Sequence, residues 1–138
     1  MVFQYVIDQK FETVFAKHSG DVKINEMSTL YREILASPDF FPGMSFCRDT
    51  RGAKLPDEWS YGFFSGPIRT EVNNLLIQLG ECRQAWIVDG GKQFAIAHQF
   101  LRSNRLTHSG MIDRKNFIDE RLACDWLGLP EKFEIPFP

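Results

Sequence analysis

The feature that most restricts the fold of this chain is a pair of β-rich runs near its amino terminus. The runs cover residues 2–8 and 11–17, and only the short polar stretch Asp8-Gln9-Lys10 separates them. A link this short leaves room for nothing but a hairpin, so the two strands are predicted to be antiparallel. After the hairpin, short apolar runs alternate with helical stretches, which is typical of parallel strands joined by right-handed crossovers.

The first half of that alternation is marked clearly. From Ile24 onward, apolar residues recur with helical spacing until the "SPDFFPG" stretch at 37–43 ends the helix with two prolines and a glycine. Residues 44–47 follow as a third strand. The stretch Ser65-Gly66-Pro67 predicts the start of a second helix, and Gly80 predicts its end.

The second half contains the central strand. Residues 84–89, "QAWIVD", form a continuous apolar run of the kind found in parallel strands that are covered on both faces. Gly90-Gly91 then turns the chain into a third helix. Residues 107–112 are predicted to form a polar edge strand, and Asn116 is predicted to cap a last helix with Phe117, Ile118, Leu122, Trp126 and Leu127 inside.

The predicted order is therefore β-β-α-β-α-β-α-β-α. This is an α/β sandwich with a mostly parallel sheet, a leading antiparallel hairpin and helices on both faces. We expect a single domain over residues 1–129 and an apolar carboxyl-terminal tail at 130–138. The tail ends in "FEIPFP", which cannot be helical; it could lie across its own domain or across a neighbouring subunit, as in a homodimer.

Composition and charge exclude several classes of function. The net charge of −2 argues against non-specific binding to nucleic acid or to anionic membranes, because both need a basic excess. No apolar run approaches the roughly 20 residues that span a bilayer, and the amino terminus does not resemble a signal peptide. The three cysteines, Cys47, Cys82 and Cys124, form no C-x-x-C pair and favour a reducing cytoplasm.

The order and spacing of several motifs resemble an uncharacterised bacterial branch of the STAS superfamily, named for sulphate transporters and sporulation anti-sigma-factor antagonists. The shared features are Gly20 after the second strand, "SPDFFPG", and an apolar strand ending in "DTRG" at 49–52. "WIVDGGKQFAIAHQF" is similar to that branch's strand-to-helix unit, and "NFIDERLACDWLGL" to its closing helix. The resemblance spans about residues 2 to 129.

The resemblance implies a non-catalytic regulatory or binding module. Some STAS domains are switched by phosphorylation of a serine in a "D-S-S-G" motif at a helix start, and Ser65 in "FSG" is the nearest feature here, without the acid or the first serine. A phosphate group at a helix amino terminus is stabilised by the free N–H groups and by the helix dipole. As an alternative, Ser65 serves only as an N-cap.

Ligands of open α/β sheets bind at the carboxyl ends of parallel strands, and these ends predict a candidate rim. Its members are Asp49, Thr50, Arg51, Gly52, Ser65, Asp89, Gly90 and Gly91. Asp113 is expected at the same rim, so three acids could converge there. The alternative for Asp49 is an Asx-type turn that accepts the N–H groups of Arg51 and Gly52, with Arg51 paired to Asp49 or Asp57.

The more specific catalytic hypotheses require sequence motifs that this chain does not have. A receiver-type phospho-acceptor at Asp49, with Lys115 as its cation, would need an acidic pair after the first strand, where this chain has a hairpin. Gly90-Gly91 belongs to no phosphate-binding glycine motif and instead favours a tight turn with positive φ. We expect no cofactor and no metal site, since His18, His98 and His108 have no ligand-like spacing.

An aromatic loop is the most unusual part of the sequence. Trp59, Tyr61, Phe63 and Phe64 lie in a long irregular connection, where they could form a partner surface, form a lid over an apolar ligand, or cover one end of the sheet. We therefore expect a cytoplasmic STAS-like module that binds a protein partner or a small ligand. The alternatives are an enzyme of unassigned chemistry that uses Asp49 and Asp89, and a carrier of lipids or other apolar ligands.

Overall fold

The computed structural model of the protein describes residues 3–21, 24–54, 74–91, 95 and 112–137. Residues 74–79 are helical, as are positions 91 and 95. The strands and helices with both ends in the described ranges are β1 (Phe3–Asp8), β2 (Thr13–His18), β3 (Gly20–Asp21), α1 (Ile24–Ala36), β4 (Ser45–Asp49), β5 (Ala53–Lys54), β6 (Cys82–Ile87), β7 (Ile112–Phe117) and α2 (Glu120–Trp126).

The main sheet has five strands in the order β1-β2-β4-β6-β7, and a separate small sheet pairs β3 with β5. Strands β1 and β2 are antiparallel, with Phe3 opposite His18, and the other pairs of the main sheet are parallel. The predicted hairpin and the mostly parallel sheet are confirmed. The "QAWIVD" run falls in β6, an interior strand that covers Cys82–Ile87 rather than residues 84–89. The hairpin turn is slightly longer than expected, because Phe11 N–H donates to Asp8 Oδ1 and β2 begins only at Thr13.

The last strand and the last helix were predicted in the wrong place. The strand covers Ile112–Phe117 rather than 107–112, and it takes up Asn116 and Phe117, which were assigned to the helix. The helix begins at Glu120, and its N-cap is Asp119, whose side chain accepts a hydrogen bond from Arg121 N–H. Ile118 and Leu122, expected inside, are 59% and 56% exposed. The edge position of this strand was predicted correctly.

Apolar side chains cover both faces of the sheet, as predicted. On one face, Leu30, Tyr31 and Ile34 of α1 and Leu79 of the helical segment pack with sheet residues such as Trp86. The other face carries a second cluster, which includes Phe15, Cys47, Ala85, Ile87, Phe117, Ala123 and Cys124. Among the described residues, no helix is both long enough and apolar enough to span a bilayer.

The carboxyl-terminal tail packs against its own sheet. The ring of Phe133 stacks on that of Phe15 at 5.2 Å between centroids, and it meets the ring of Phe11 edge-on at 5.1 Å. Ile135 and Phe137 join the same cluster. Of the two arrangements open for "FEIPFP", the structure shows the tail across its own domain.

Candidate functional site

The carboxyl ends of β4 and β6 bring two loops side by side, and we call residues 49–52 and 89–91 together the rim. Asp49 is the last residue of β4, and Asp89 lies two positions after the end of β6. The loops are joined at Thr50, whose N–H and Oγ1–H both donate to the carbonyl oxygen of Ile87 at 2.8 Å. Strand ends thus place these loops together, as the rule for parallel sheets requires.

The "DTRG" segment makes a tight turn that is anchored at its far end. Ala53 N–H donates to Thr50 O at 3.1 Å, and Gly52 at the third position has a φ of +80°. A positive φ at that position is the signature of a type II turn and explains the glycine. Immediately afterwards, β5 pairs with β3, which ties the turn to the chain that follows β2.

Asp49 and Arg51 form a two-pronged ion pair inside this turn. Asp49 Oδ1 accepts from Arg51 N–H and Nε–H, both at 3.0 Å, and Oδ2 accepts from Nη2 at 2.9 Å. Arg51 Nη2 also donates to Glu120 Oε1 at 2.7 Å. The hydrogen bond to Asp49 raises the pKa of the Arg51 guanidinium, and the bond to Glu120 adds to it.

The expected turn is thus present in part. Arg51 N–H donates to Asp49 as predicted, whereas Gly52 N–H donates to Asp89 Oδ2 at 3.1 Å. The second bond joins the two rim loops once more. Asp57, the alternative partner for Arg51, lies outside the described residues.

The predicted convergence of three acids is wrong in its third member. Asp113 is the second residue of β7 and pairs in register with Arg83, so it lies near the amino end of its strand. Its place beside the rim is taken by Glu120, the first residue of α2. Sequence reasoning missed Glu120 because it began the last helix too early, at Asn116.

The two glycines of the second loop have positive φ, +95° at Gly90 and +54° at Gly91, as the tight turn predicted. A Cβ atom at Gly90 would meet Ile118 Cδ1 at 3.4 Å. Ile118 therefore lies against the rim, and Leu122 follows it in α2. Because Ile118 is 59% exposed, apolar surface adjoins the charged groups of the rim.

The remaining sequence candidates are not described by the structure. Ser65 and the aromatic loop, Trp59, Tyr61, Phe63 and Phe64, lie in the undescribed range 55–73. Their roles as a modification site, interface or lid remain expectations.

Sequence reasoning missed a buried polar cluster on the α1 face of the sheet, made of His18, Tyr31, Arg48 and Gln84. Arg48 is 0% exposed and lies over the ring of Trp86, with its guanidinium carbon 4.3 Å from the ring centroid. The signal in the sequence was weak: strand alternation puts Arg48 on the same face as Phe46, but nothing local shows that an arginine is buried there.

The cysteines are free and buried in the structure. Burial raises the pKa of the Cys47 and Cys124 thiols and brings that of Cys82 to about 11, so none is poised as a thiolate. In the described part of the chain, no three His, Cys, Asp or Glu side chains are grouped so that they could hold a metal ion.

Replacing Asp49 with asparagine tests the ion pair in the turn. We expect a loss of about 1 kcal/mol in the free energy of unfolding, because an amide keeps one acceptor for Arg51 N–H but loses the charge and the second acceptor. Urea denaturation measures it. The control is Glu131→Gln, which breaks the exposed pair with Arg121 and should cost less than about 0.5 kcal/mol. Equal losses in the two variants would refute a structural role for the Asp49 pair.

Comparison with known proteins supports the fold. The structure is similar to the crystal structure of an uncharacterised protein of the DUF3478 family with a SpoIIAA-like fold from Shewanella loihica, with a TM-score of 0.56. The two chains are 18% identical over 91% of this chain and 94% of that one. Neither a protein-family model nor a curated protein matches the sequence. The predicted STAS-like fold is confirmed.

Proposed function

We propose that this chain is a non-catalytic regulatory or binding module of STAS-like type, and that the rim is where it docks a protein partner or a small ligand. The observation that carries the proposal is that the rim's charged groups are bonded to one another. Asp49 and Arg51 satisfy each other, Glu120 joins them, and Asp89 holds Gly52. These bonds give a surface of fixed shape.

The same bonds weigh against the enzyme reading. A nucleophile or general base needs a lone pair that faces the reacting group, within hydrogen-bond reach. Both oxygens of Asp49 already accept from Arg51, and the side chain is only 8% exposed. An Asp49→Asn variant that stays folded and loses a measured turnover would overturn the module reading.

Two exposed aliphatic side chains favour a protein as the partner. Ile118 lies against Gly90 and is 59% exposed, and Leu122, the third residue of α2, is exposed as well. An exposed apolar side chain next to fixed polar groups suits protein recognition, whereas a small ligand usually needs a concave pocket. The setting we propose is the cytoplasm of a bacterium.

The test replaces one of these side chains and leaves an equivalent one elsewhere as the control. Immobilised protein is used to capture partners from an extract of the source organism, and mass spectrometry quantifies each captured protein. Ile118→Asp should reduce capture of a rim-dependent partner at least about tenfold, since it puts a charge into the contact. Ile77→Asp, at a site 55% exposed and outside the rim, should capture it normally.

Both variants should unfold at the temperature of the unmodified protein, because both sites are on the surface. The proposal fails if no captured protein responds to Ile118→Asp, or if every response is shared by Ile77→Asp. If the proposal holds, the partner is among the proteins whose capture Ile118→Asp reduces and Ile77→Asp does not.

A further inference from the structure

The outer edge of β1 is an open edge of the main sheet. Strand β1 is first in the order of the sheet and pairs with β2 on one side. On its other side, no strand in the described part of the chain pairs with it. An open edge presents unpaired N–H and C=O groups, which can bind the backbone of another strand.

The hydrogen bonds of β2 show which backbone groups of β1 point outward. Ser45 N–H donates to Glu12 O at 2.9 Å, so the peptide group between Glu12 and Thr13 has its carbonyl toward β4. The N–H of this planar group points the opposite way, toward β1, where Thr13 lies opposite Asp8. Because hydrogen-bonded and non-hydrogen-bonded pairs alternate along antiparallel strands, every second residue of β1 has its N–H and C=O groups at the open edge. These residues are Phe3, Tyr5 and Ile7.

Strand β1 lacks the features that usually protect an edge strand. Such strands are commonly kept unpaired by charged side chains, proline or a β-bulge. The sequence of β1, FQYVID, contains no proline and has its single charge at the last residue, Asp8. Its pairing with β2 runs through six consecutive residue pairs, which leaves no place for a bulge. By contrast, β7 at the other end of the sheet carries Asp113, Arg114 and Lys115.

Apolar side chains reach this open edge on both faces of the sheet. Val6 is 40% exposed, and no other large apolar side chain in the described strands is exposed. It lies opposite Phe15, whose ring stacks on that of Phe133, so Val6 extends the second apolar cluster to the edge. On the other face, Tyr5 and Ile7 are partly buried against the core. The edge therefore offers both backbone groups and apolar surface.

The sequence of β1 is complementary to itself when two copies run antiparallel with Val6 opposite Val6. Tyr5 then lies opposite Ile7 of the other copy, so outward-facing backbone groups meet and two apolar side chains pack together. Gln4 lies opposite Asp8 of the other copy, which brings an amide donor to a carboxylate acceptor. No like charges face each other in this register.

We propose that β1 pairs with β1 of a second copy of this chain, antiparallel about a two-fold axis at Val6, so that the two main sheets become one continuous sheet. The contact along one strand is small, so the dimer is weak and reversible. Strand β2 separates β1 from β4 in the sheet, and the pairing leaves the rim free. The proposal therefore goes beyond the docking function and does not depend on it.

Sedimentation equilibrium of the full chain, from about 10 μM to about 1 mM, tests the dimer. The unmodified protein should show a monomer–dimer equilibrium in this range. Val6→Lys should raise the dissociation constant at least about tenfold, because two like charges would face each other across the axis. Ile77→Lys, at a helical site that is 55% exposed, should change it less than about twofold, and so should Ile118→Asp at the rim.

A cysteine at the axis tests the register. Opposed residues in a non-hydrogen-bonded antiparallel pair have Cα atoms about 4.5 Å apart, which a disulfide can span. Mild oxidation with diamide should therefore cross-link two copies of Val6→Cys, and a non-reducing gel detects the product. Ile77→Cys is the matched control and should stay uncross-linked at the same concentration. The three native cysteines are buried in both variants.

Three results would overturn the proposal. The unmodified chain could stay monomeric up to about 1 mM, as expected if β1 instead receives a strand of another protein or a further segment of its own chain. Folded Val6→Lys could dimerise as tightly as the unmodified protein. Val6→Cys could cross-link no more than Ile77→Cys. If Val6→Lys does not fold, sedimentation of the unmodified chain and cross-linking of Val6→Cys decide the question.

Discussion

Replacing Gly80 with alanine is expected to lower the free energy of unfolding by about 3 kcal/mol, from a strained backbone plus overpacking. Gly80 ends the helical segment with a φ of +80°, as its place in the sequence predicted. A Cβ atom there would lie 3.1 Å from both Gly43 N and Pro42 Cβ. It would also disturb the bond that Gly43 N–H donates to Leu79 O at 2.9 Å.

The matched control is Gly128→Ala. Gly128 has nearly the same φ, +79°, but a Cβ atom there meets nothing within 4 Å. This variant should lose only the conformational term of about 1 kcal/mol. Urea denaturation of the two variants therefore separates backbone strain from the close approach of residues 42–43. Equal losses in the free energy of unfolding would show that the close contact with Pro42 and Gly43 does not contribute to the effect of Gly80→Ala.

The free energy of unfolding is expected to fall by up to about 2 kcal/mol between pH 6.5 and pH 5 because of one residue, His18. The slope is at most about 1.4 kcal/mol per pH unit, the value for one proton. Burial and the charge of Arg48 lower the pKa of His18 in the folded protein below its ordinary value of 6.5. Below pH 6.5 the unfolded chain takes up a proton that the folded chain excludes. Protonation thus favours unfolding, and the stability contributed by His18 is present above pH 6.5 and is lost as the pH falls below it.

The measurement compares the unmodified protein with His18→Gln in urea at a series of pH values. Glutamine can still offer an oxygen to Arg48 Nη2, which lies 2.9 Å from His18 Nε2, but has no proton to gain in this range. The difference in stability between the two proteins should therefore change with pH below 6.5 and stay constant above it. Parallel stability curves across the range would contradict a neutral His18 in the folded state.

How far the sequence predicted the fold depends on how each strand is buried. Strands β2, β4 and β6 are covered on both faces, so their apolar runs were visible and were placed within a few residues. Strand β7 lies at the edge and alternates exposed Asp113 and Lys115 with buried Arg114. Periodicity cannot show that an arginine faces inward, and the strand was therefore placed too early in the chain and the helix begun too soon.

The candidate site, too, could be predicted only in part from the sequence. That Asp49 and Asp89 are neighbours follows from the order of parallel strands, which the alternation of elements already indicates. Glu120 was missed with the start of α2. The cluster around Arg48 was out of reach for another reason: its members come from β2, α1, β4 and β6, and its unusual property, a fully buried arginine, exists only once these four elements are packed.

The short β3–β5 pair has a mechanical consequence. Gly20, two residues after His18, is bonded in register with Ala53, one residue after Gly52. The end of β2 and the turn at the rim are thus connected by the backbone pairing of β3 with β5. A displacement of the "DTRG" turn would therefore be transmitted through this pair to the end of β2.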